Sequence, residues 1–421
     1  MSTSDTSQLP ETQAPPPTTE EASQRQAWSS EGYGLSPTSD KPQNGPVEPT
    51  SSQREPVSSP VSKHATQLFT HSYLVFFAIF GTLARLGLQA LTIYPGAPVV
   101  TGVLWANVGG SLLMGFFLED KNLFREEWGA INQINNNGTE TDPSTESKRH
   151  KAIKKTIPLY IGLTTGFCGC FTSFSSFIRD IFLALSNDLS DPSTPNGGYS
   201  FMALVAVILT TVALSLSALI FGVHLALALD PVTPSFPFHF TRRFIDPLFL
   251  VLGWGCWLGA IFLAIWPPDR HDNRQEFWRG RAVFAVVFAP LGCFLRYYVS
   301  LMLNTRLPAF PLGTFTVNIF GTVILAMCYD LQHVEGIGAS SLGSGASSSI
   351  LTSCQVLAGI MDGFCGSTTT ISTWVAELNG LNRRRYAYFY GIASIGVALG
   401  FFVIITGSLR WTSGFMEPVC K

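Results

Sequence analysis

Charge is scarce in this chain. Only 13% of its 421 residues are Asp, Glu, Lys or Arg, and the formal net charge is −2. That balance carries no electrostatic signal for nucleic acid, and no such partner is expected. No Lys stands inside a long apolar run, and the acidic residues Asp180, Asp362 and Glu377 are placed at or near run ends. A proton-coupled antiporter needs an ionisable relay at mid-membrane, so that class is disfavoured. The eight cysteines make neither a disulfide framework nor a metal-ligand spacing. "CGC" at 168–170 has no His or Asp near it and reads as small packing residues. Residues 1–65 nearly lack aliphatic side chains and are rich in Ser, Thr, Pro, Gln and Glu, so they are expected to be a disordered tail. The tail also lacks the apolar core of a signal peptide. No nucleotide site is visible, and no enzymatic reaction is expected.

What is present is apolar length. Mean hydropathy is +0.27, and 46% of residues are hydrophobic. From residue 66 onward, nine apolar spans can be read, at roughly 70–93, 98–118, 157–179, 201–229, 244–266, 280–303, 310–330, 350–376 and 386–409. Roughly 20 apolar residues cross a bilayer as a helix, so the fold class is an all-α polytopic membrane protein. The halves repeat. "GTLARLGL" (81–88) matches "GCFLRYYV" (292–299), and "LWANVGGSLLMG" (104–115) matches "FTVNIFGTVILA" (315–326). Arg85 to Asn107 and Arg296 to Asn318 are both 22 residues. "GFCGCFTSFSSF" (166–177) and "GFCGSTTTISTW" (363–374) form a third pair, and Asp180 pairs with Glu377 at the same offset of 197.

Four spans, one odd span and four spans make the two repeats inverted, related by a pseudo-two-fold axis in the membrane plane. The expected organisation is a tail at 1–65, a first four-helix repeat at 66–230, a linker with its own transmembrane helix at 231–275, a second repeat at 276–410 and a short tail at 411–421. Lys and Arg number 17 on the N-terminal side and 7 on the other. The positive-inside rule then puts the N-terminus in the cytoplasm, the C-terminus outside and the sequon at Asn137 in the cytosol.

The polar residues inside the spans are neutral and repeated. Asn107, Asn318 and the Ser/Thr runs at 172–176 and 367–373 offer hydrogen-bond donors without fixed charge, which suits a small anion that must leave again. Phe171, Phe174 and Phe177 lie on roughly one helical face, and a ring edge carries partial positive charge. The glycines before them mark a helix break at mid-membrane, which frees carbonyls. Each feature also has a plain packing reading. The asparagines could be interhelical glue, the glycines close-packing devices, and the arginines snorkelling groups. The recurrence of one ordered set in both halves weighs against those readings.

These residues resemble the Fluc-type fluoride channels, in particular their fused two-domain eukaryotic form, over about 70–410. "GTFTVNIFG" (313–321) and "GFCGCFTSFSSFIRD" (166–180) carry the resemblance. It implies a fluoride-selective channel that passively exports F⁻, works as a fused monomer and sits in the plasma membrane, in contact with the lipid bilayer. It implies pore roles for Asn107, Asn318, Phe174, Phe177, Ser394, Ser173 and Thr370, with Ile371 and Trp374 as a degenerate aromatic box. It implies vestibule acids at Asp180 and Glu377, and first-span arginines at Arg85 and Arg296. It also implies a structural Na⁺ held by backbone carbonyls of Gly169, Thr172, Gly366 and Thr369. The first-repeat hydroxyl on the fourth span stays open among Thr210, Thr211, Ser215 and Ser217. Two other functions remain: a small multidrug or metabolite-type secondary transporter with inverted repeats, and a non-conducting membrane adaptor acting through the tail.

Overall fold

The structure, a computed structural model, describes residues 63–94, 101–125, 152–189, 197–237, 240–267, 277–334 and 348–418. The expectations for the tail before residue 63, the sequon at Asn137 and Cys420 lie outside the described residues. The described elements are helices. We name them α1 (Lys63–Thr92), α2 (Leu104–Glu119), α3 (Pro158–Ile161, π-helical Gly162–Cys168 and Gly169–Phe171) and α4 (Phe174–Leu185). Next come α5 (Gly197–Leu229), the linker α6 (Asp246–Ile265), α7 (Phe277–Leu303) and α8 (Leu312–His333). The last are α9 (Ser348–Gly359, π-helical Ile360–Cys365 and Gly366–Thr368), α10 (Ser372–Gly380) and α11 (Arg384–Thr412).

Among the described residues, seven helical spans are long and apolar enough to cross a membrane. At the other two expected positions stand α2, which has 16 residues, and the broken pair α9–α10. Burial separates their roles. The best apolar window of α6 is only 11% buried, whereas that of the broken α3–α4 pair is 83% buried. The linker therefore turns most of its surface outward, and the broken helix is the core. The linker is pinned to its neighbours by two indole donors, Trp254 Nε1 to Ser72 Oγ (3.1 Å) and Trp257 Nε1 to the Val287 carbonyl (2.9 Å).

The break has the same form twice. A π-helical segment ends at Cys168 or Cys365, one short turn follows, and the chain then becomes extended at Thr172 (φ −92°, ψ 153°) and Thr369 (φ −94°, ψ 155°). Ser173 caps α4 by accepting from the Ser176 N–H at 3.2 Å, and Thr370 accepts from the Thr373 N–H at 3.4 Å. Both breaks are pressed against a first-span glycine. A Cβ on Gly81 would lie 2.7 Å from the Phe167 carbonyl oxygen, and one on Gly292 would strike that of Phe364. This explains the Gly-x-x-x-Arg motif: the glycine admits the break, and the arginine one turn later reaches across it.

Two expectations are corrected. Asp362 is not at a span end. It lies inside the π-helical part of α9, 3% exposed, and binds Arg281 Nε at 2.5 Å. Cys354, read as one of a set of unpaired thiols, is in a disulfide. Six other described cysteines are free.

The contact at the first-span glycines predicts a position-dependent cost. Gly81→Ala and Gly292→Ala should each lower the thermal unfolding midpoint by several degrees, since the new Cβ meets backbone that cannot yield. Gly87→Ala has open space around its Cβ and should leave the midpoint unchanged or raise it. Equal effects at the three positions would refute the packing account.

Candidate functional site: the crossed breaks

The two breaks satisfy each other. Thr369 Oγ1 accepts from the Ser175 N–H (3.0 Å), and Thr172 Oγ1 accepts from the Ser372 N–H (3.1 Å). Ser175 Oγ donates to the Cys365 carbonyl (3.4 Å), and Ser372 Oγ donates to that of Cys168 (3.1 Å). Each bond is the image of the other under the offset of 197 residues. Such reciprocity is the mark of an isologous, two-fold contact.

The arginines obey the same rule. Arg85 Nη2 donates to the Asp362 carbonyl (2.5 Å), and Arg296 Nη2 donates to that of Thr165 (2.5 Å). Each guanidinium thus reaches the other repeat's π-helical segment. Both arginines are buried, and each packs where a side chain on the opposite repeat's glycine, Gly366 or Gly169, would collide with it. They do not snorkel. Arg85 Nε also holds the Cys170 carbonyl at 3.1 Å.

The same geometry bears on Na⁺. Of the four residues expected to supply carbonyls, Gly169 and Thr369 already accept from Arg296 Nη1, at 2.5 and 3.4 Å. A guanidinium and a sodium ion sharing one pair of oxygens repel each other, so the expected cage fits the ion poorly.

The asparagines are anchored within their own repeats. Asn107 Oδ1 accepts from the Ser173 N–H (2.8 Å) and Nδ2 donates to its carbonyl (3.4 Å). Asn318 does the same at Thr370, at 2.9 and 3.3 Å. Three residues on, Gly110 and Gly321 leave room for the methyls of Thr172 and Thr369. Each amide thereby splices the break, and one Nδ2 hydrogen is left over.

The half-helices bridge the repeats, so two seams run between them. α4 packs on α5 of its own repeat and on α8 and α11 of the second, and α10 packs on α11 of its own repeat and on α2 and α5 of the first. The expected grouping of rings, Phe174 with Phe177 and Ile371 with Trp374, is not the one that forms. Phe174 lies edge-on to both Trp374 (5.5 Å, 66°) and Phe177 (5.9 Å, 74°), and Trp374 approaches Tyr390 (6.5 Å). Ile371 is buried, and its N–H donates to Thr172 Oγ1.

The acids differ. Glu377 gathers three donors: Thr314 Oγ1 (2.6 Å) and Asn304 Nδ2 (3.2 Å) on Oε1, and Tyr390 Oη (2.8 Å) on Oε2. Asp180 is held by its neighbour Arg179 (3.1 Å), and its Oδ2 is buried without a partner. Ser394 is buried, with its hydroxyl donating to the Tyr390 carbonyl at 2.7 Å. In the first repeat, Thr211 and Ser215 point inward, whereas Thr210 and Ser217 face outward. Asn304, Thr314 and Tyr390 were not anticipated. Their signal was helical spacing, since Thr314 and Tyr390 each stand one turn before an expected pore residue.

Two inverted four-helix units crossing at paired helix breaks define a polytopic membrane protein whose centre is lined by neutral donors and rings. The chain belongs to the CrcB-like family, described as "CrcB-like protein, Camphor Resistance", whose profile matches residues 72–223 and again 283–408. Fluoride export protein 1 of Neurospora crassa is 52% identical over 410 residues, covering 90% of this chain and 76% of that protein. The protein of the same name in Candida albicans is 37% identical, covering 81% of this chain and 80% of its own length. The fluoride-specific ion channel FluC of Acinetobacter baylyi is 30% identical over 128 residues, which is 30% of this chain and 90% of FluC. No solved structure matches.

The guanidinium clamps carry a prediction. Arg85→Met and Arg296→Met each strand buried carbonyls, at ~1–3 kcal/mol apiece, and should lower the unfolding midpoint markedly. Lys at either site should restore little, because it lacks the fork that spans two carbonyls. Full stability of the Lys variants in a thermal-shift assay would contradict the clamp.

Proposed function

We propose that this chain is a fluoride channel that lets F⁻ leave the cytosol passively, working as a fused monomer in the plasma membrane. The observation that carries the reading is the cluster where α4 and α10 meet α11, in which the buried Phe174, Trp374, Tyr390 and Ser394 and the half-buried Glu377 stand together, none of them basic. Neutral donors and ring edges can replace the hydration of a small anion without trapping it. The names of its relatives support fluoride as that anion. A negative-inside potential drives an anion outward by ~2.3 kcal/mol per 100 mV, so no energy source and no catalysed reaction are needed. HF that enters from an acidic medium dissociates at neutral pH, and the channel drains the ion.

A proton-coupled transporter is a weaker reading. Asp362, deep in a broken helix, is tied to Arg281, Asp180 is held by its neighbour Arg179, and Glu377 is occupied by three donors. The disulfide at Cys354 supports the proposed orientation. It lies at the start of α9, on the side assigned to the exterior, and disulfides persist in oxidising compartments. On intact cells, a membrane-impermeant maleimide should label Cys354 only after treatment with an impermeant reductant, with Cys354→Ser as control. Labelling only after permeabilisation would reverse the topology.

The functional test is fluoride efflux from proteoliposomes, read with a fluoride electrode. Wild type should release F⁻ far faster than Cl⁻, and should do so in Na⁺-free solution as well, because Arg296 already holds two of the expected carbonyls. Phe174→Ile and Phe177→Ile keep bulk but remove a ring edge. Losing ~1.4 kcal/mol at the barrier would slow efflux about tenfold. Ile371→Val should conduct like wild type. Efflux no faster than from protein-free vesicles would end the channel reading.

A further inference from the structure

We infer that the indole N–H of Trp374 is a direct hydrogen-bond donor to the transported anion in the ring cluster where α4 and α10 meet α11. The inference rests on the channel reading above and adds a specificity residue to it, in place of the degenerate-box position that the resemblance implies for Trp374.

Trp374 is the largest fully buried side chain among the described residues, at 1% exposure, and its Nε1 has no acceptor within reach. An indole N–H is a donor only, so no rotation about its own bond can turn it into something else. A buried tryptophan ordinarily finds a partner for this group, and Trp254 and Trp257 do so on Ser72 and Val287. Leaving the donor dry is destabilising. The residue at the equivalent position of the first repeat, Phe177, fills a similar space without that cost. Other buried polar atoms lack a partner too, Arg85 Nη1 and Arg296 Nε at the crossing among them, but Trp374 Nε1 is the one that stands in the ring cluster, and it is explained if its acceptor is a passing ligand.

The surroundings specify the ligand. Phe174 faces the indole edge-on at 5.5 Å, and Tyr390 lies at 6.5 Å with its own hydroxyl committed to Glu377. A donor-only group, a ring edge and no cation select a small, compact acceptor that carries negative charge. Fluoride is the halide that gains most from a single short N–H contact. Larger halides need more room than a fully enclosed ring cluster leaves.

Trp374→Phe is the decisive variant, because it keeps a ring and deletes the donor. In proteoliposomes its fluoride efflux should fall about tenfold relative to wild type, while its thermal midpoint stays equal or rises, since an unpaired donor has been removed. If the N–H is only a trapped structural group, the midpoint rises and efflux stays within twofold of wild type, and the inference is overturned. Failure of the channel reading looks different, because wild type itself would then not conduct. A second measurement needs no folded variant. In wild-type protein carrying ¹⁵N-indole label, one of the nine tryptophan indole N–H resonances should move downfield with saturating NaF and not with NaCl. No fluoride-specific movement would overturn the inference even if Trp374→Phe proved unstable.

Discussion

The fold depends on one requirement: backbone polar groups freed inside an apolar environment must find partners within the protein. Breaking a helix at Thr172 and at Thr369 exposes N–H and C=O groups where there is no water to take them. Nearly every conspicuous feature of the centre answers that requirement. The Thr172 and Thr369 hydroxyls take amide hydrogens from the opposite repeat, the asparagine amides splice their own chain across the gap, and the arginines collect carbonyls from the π-helical segments. A single broken helix could not satisfy itself in this way. Two inverted copies can, because each supplies the donors and acceptors that the other lacks.

The requirement also settles what charge is doing at the core. Two buried arginines would be costly as isolated ions. Spread over carbonyl oxygens, they stabilise the negative ends of the peptide dipoles in both breaks. They also leave a positive field near the crossing. An anion path beside such a crossing benefits from the field and avoids a trap.

Much of this was legible in the sequence, and for a physical reason. The break, the Gly-x-x-x-Arg pair and the Asn–Gly pair recur because all of them fold onto the same backbone gap, so the requirement is written twice at fixed offsets. The reciprocity across the repeats is a consequence of inversion. What stayed hidden was the exchange of partners between halves. Spacing along one chain shows that Phe174 and Phe177 share a face, but not that α4 is carried into the other repeat to meet Trp374. For the same reason, the donors around Glu377 went unseen. Asn304, Thr314 and Tyr390 come from three separate segments, and each is unremarkable in its own. Asp362 was placed near a run end although the 350–376 span centres close to it; what the sequence hid was the ion pair with Arg281, 81 residues away, that lets an acid stand there.

Fusion of the two repeats changes what the symmetry enforces. In a homodimer both seams must be the same, because one sequence writes both. In one chain each seam is free to change, but the crossing is not, since any loss in one break strands groups in the other. The residues divide along that line. Arg, Gly, Asn and Thr at the crossing remain matched between halves. The positions that line the seams have drifted: Phe174 against Ile371, Phe177 against Trp374, Asp180 with its neighbour Arg179 against Glu377 with three donors from elsewhere. The ring cluster where α4 and α10 meet α11 received both Phe174 and Trp374 together with the Tyr390–Glu377 pair. The side of the crossing away from that cluster can lose conduction while its helices still hold the shared breaks in place.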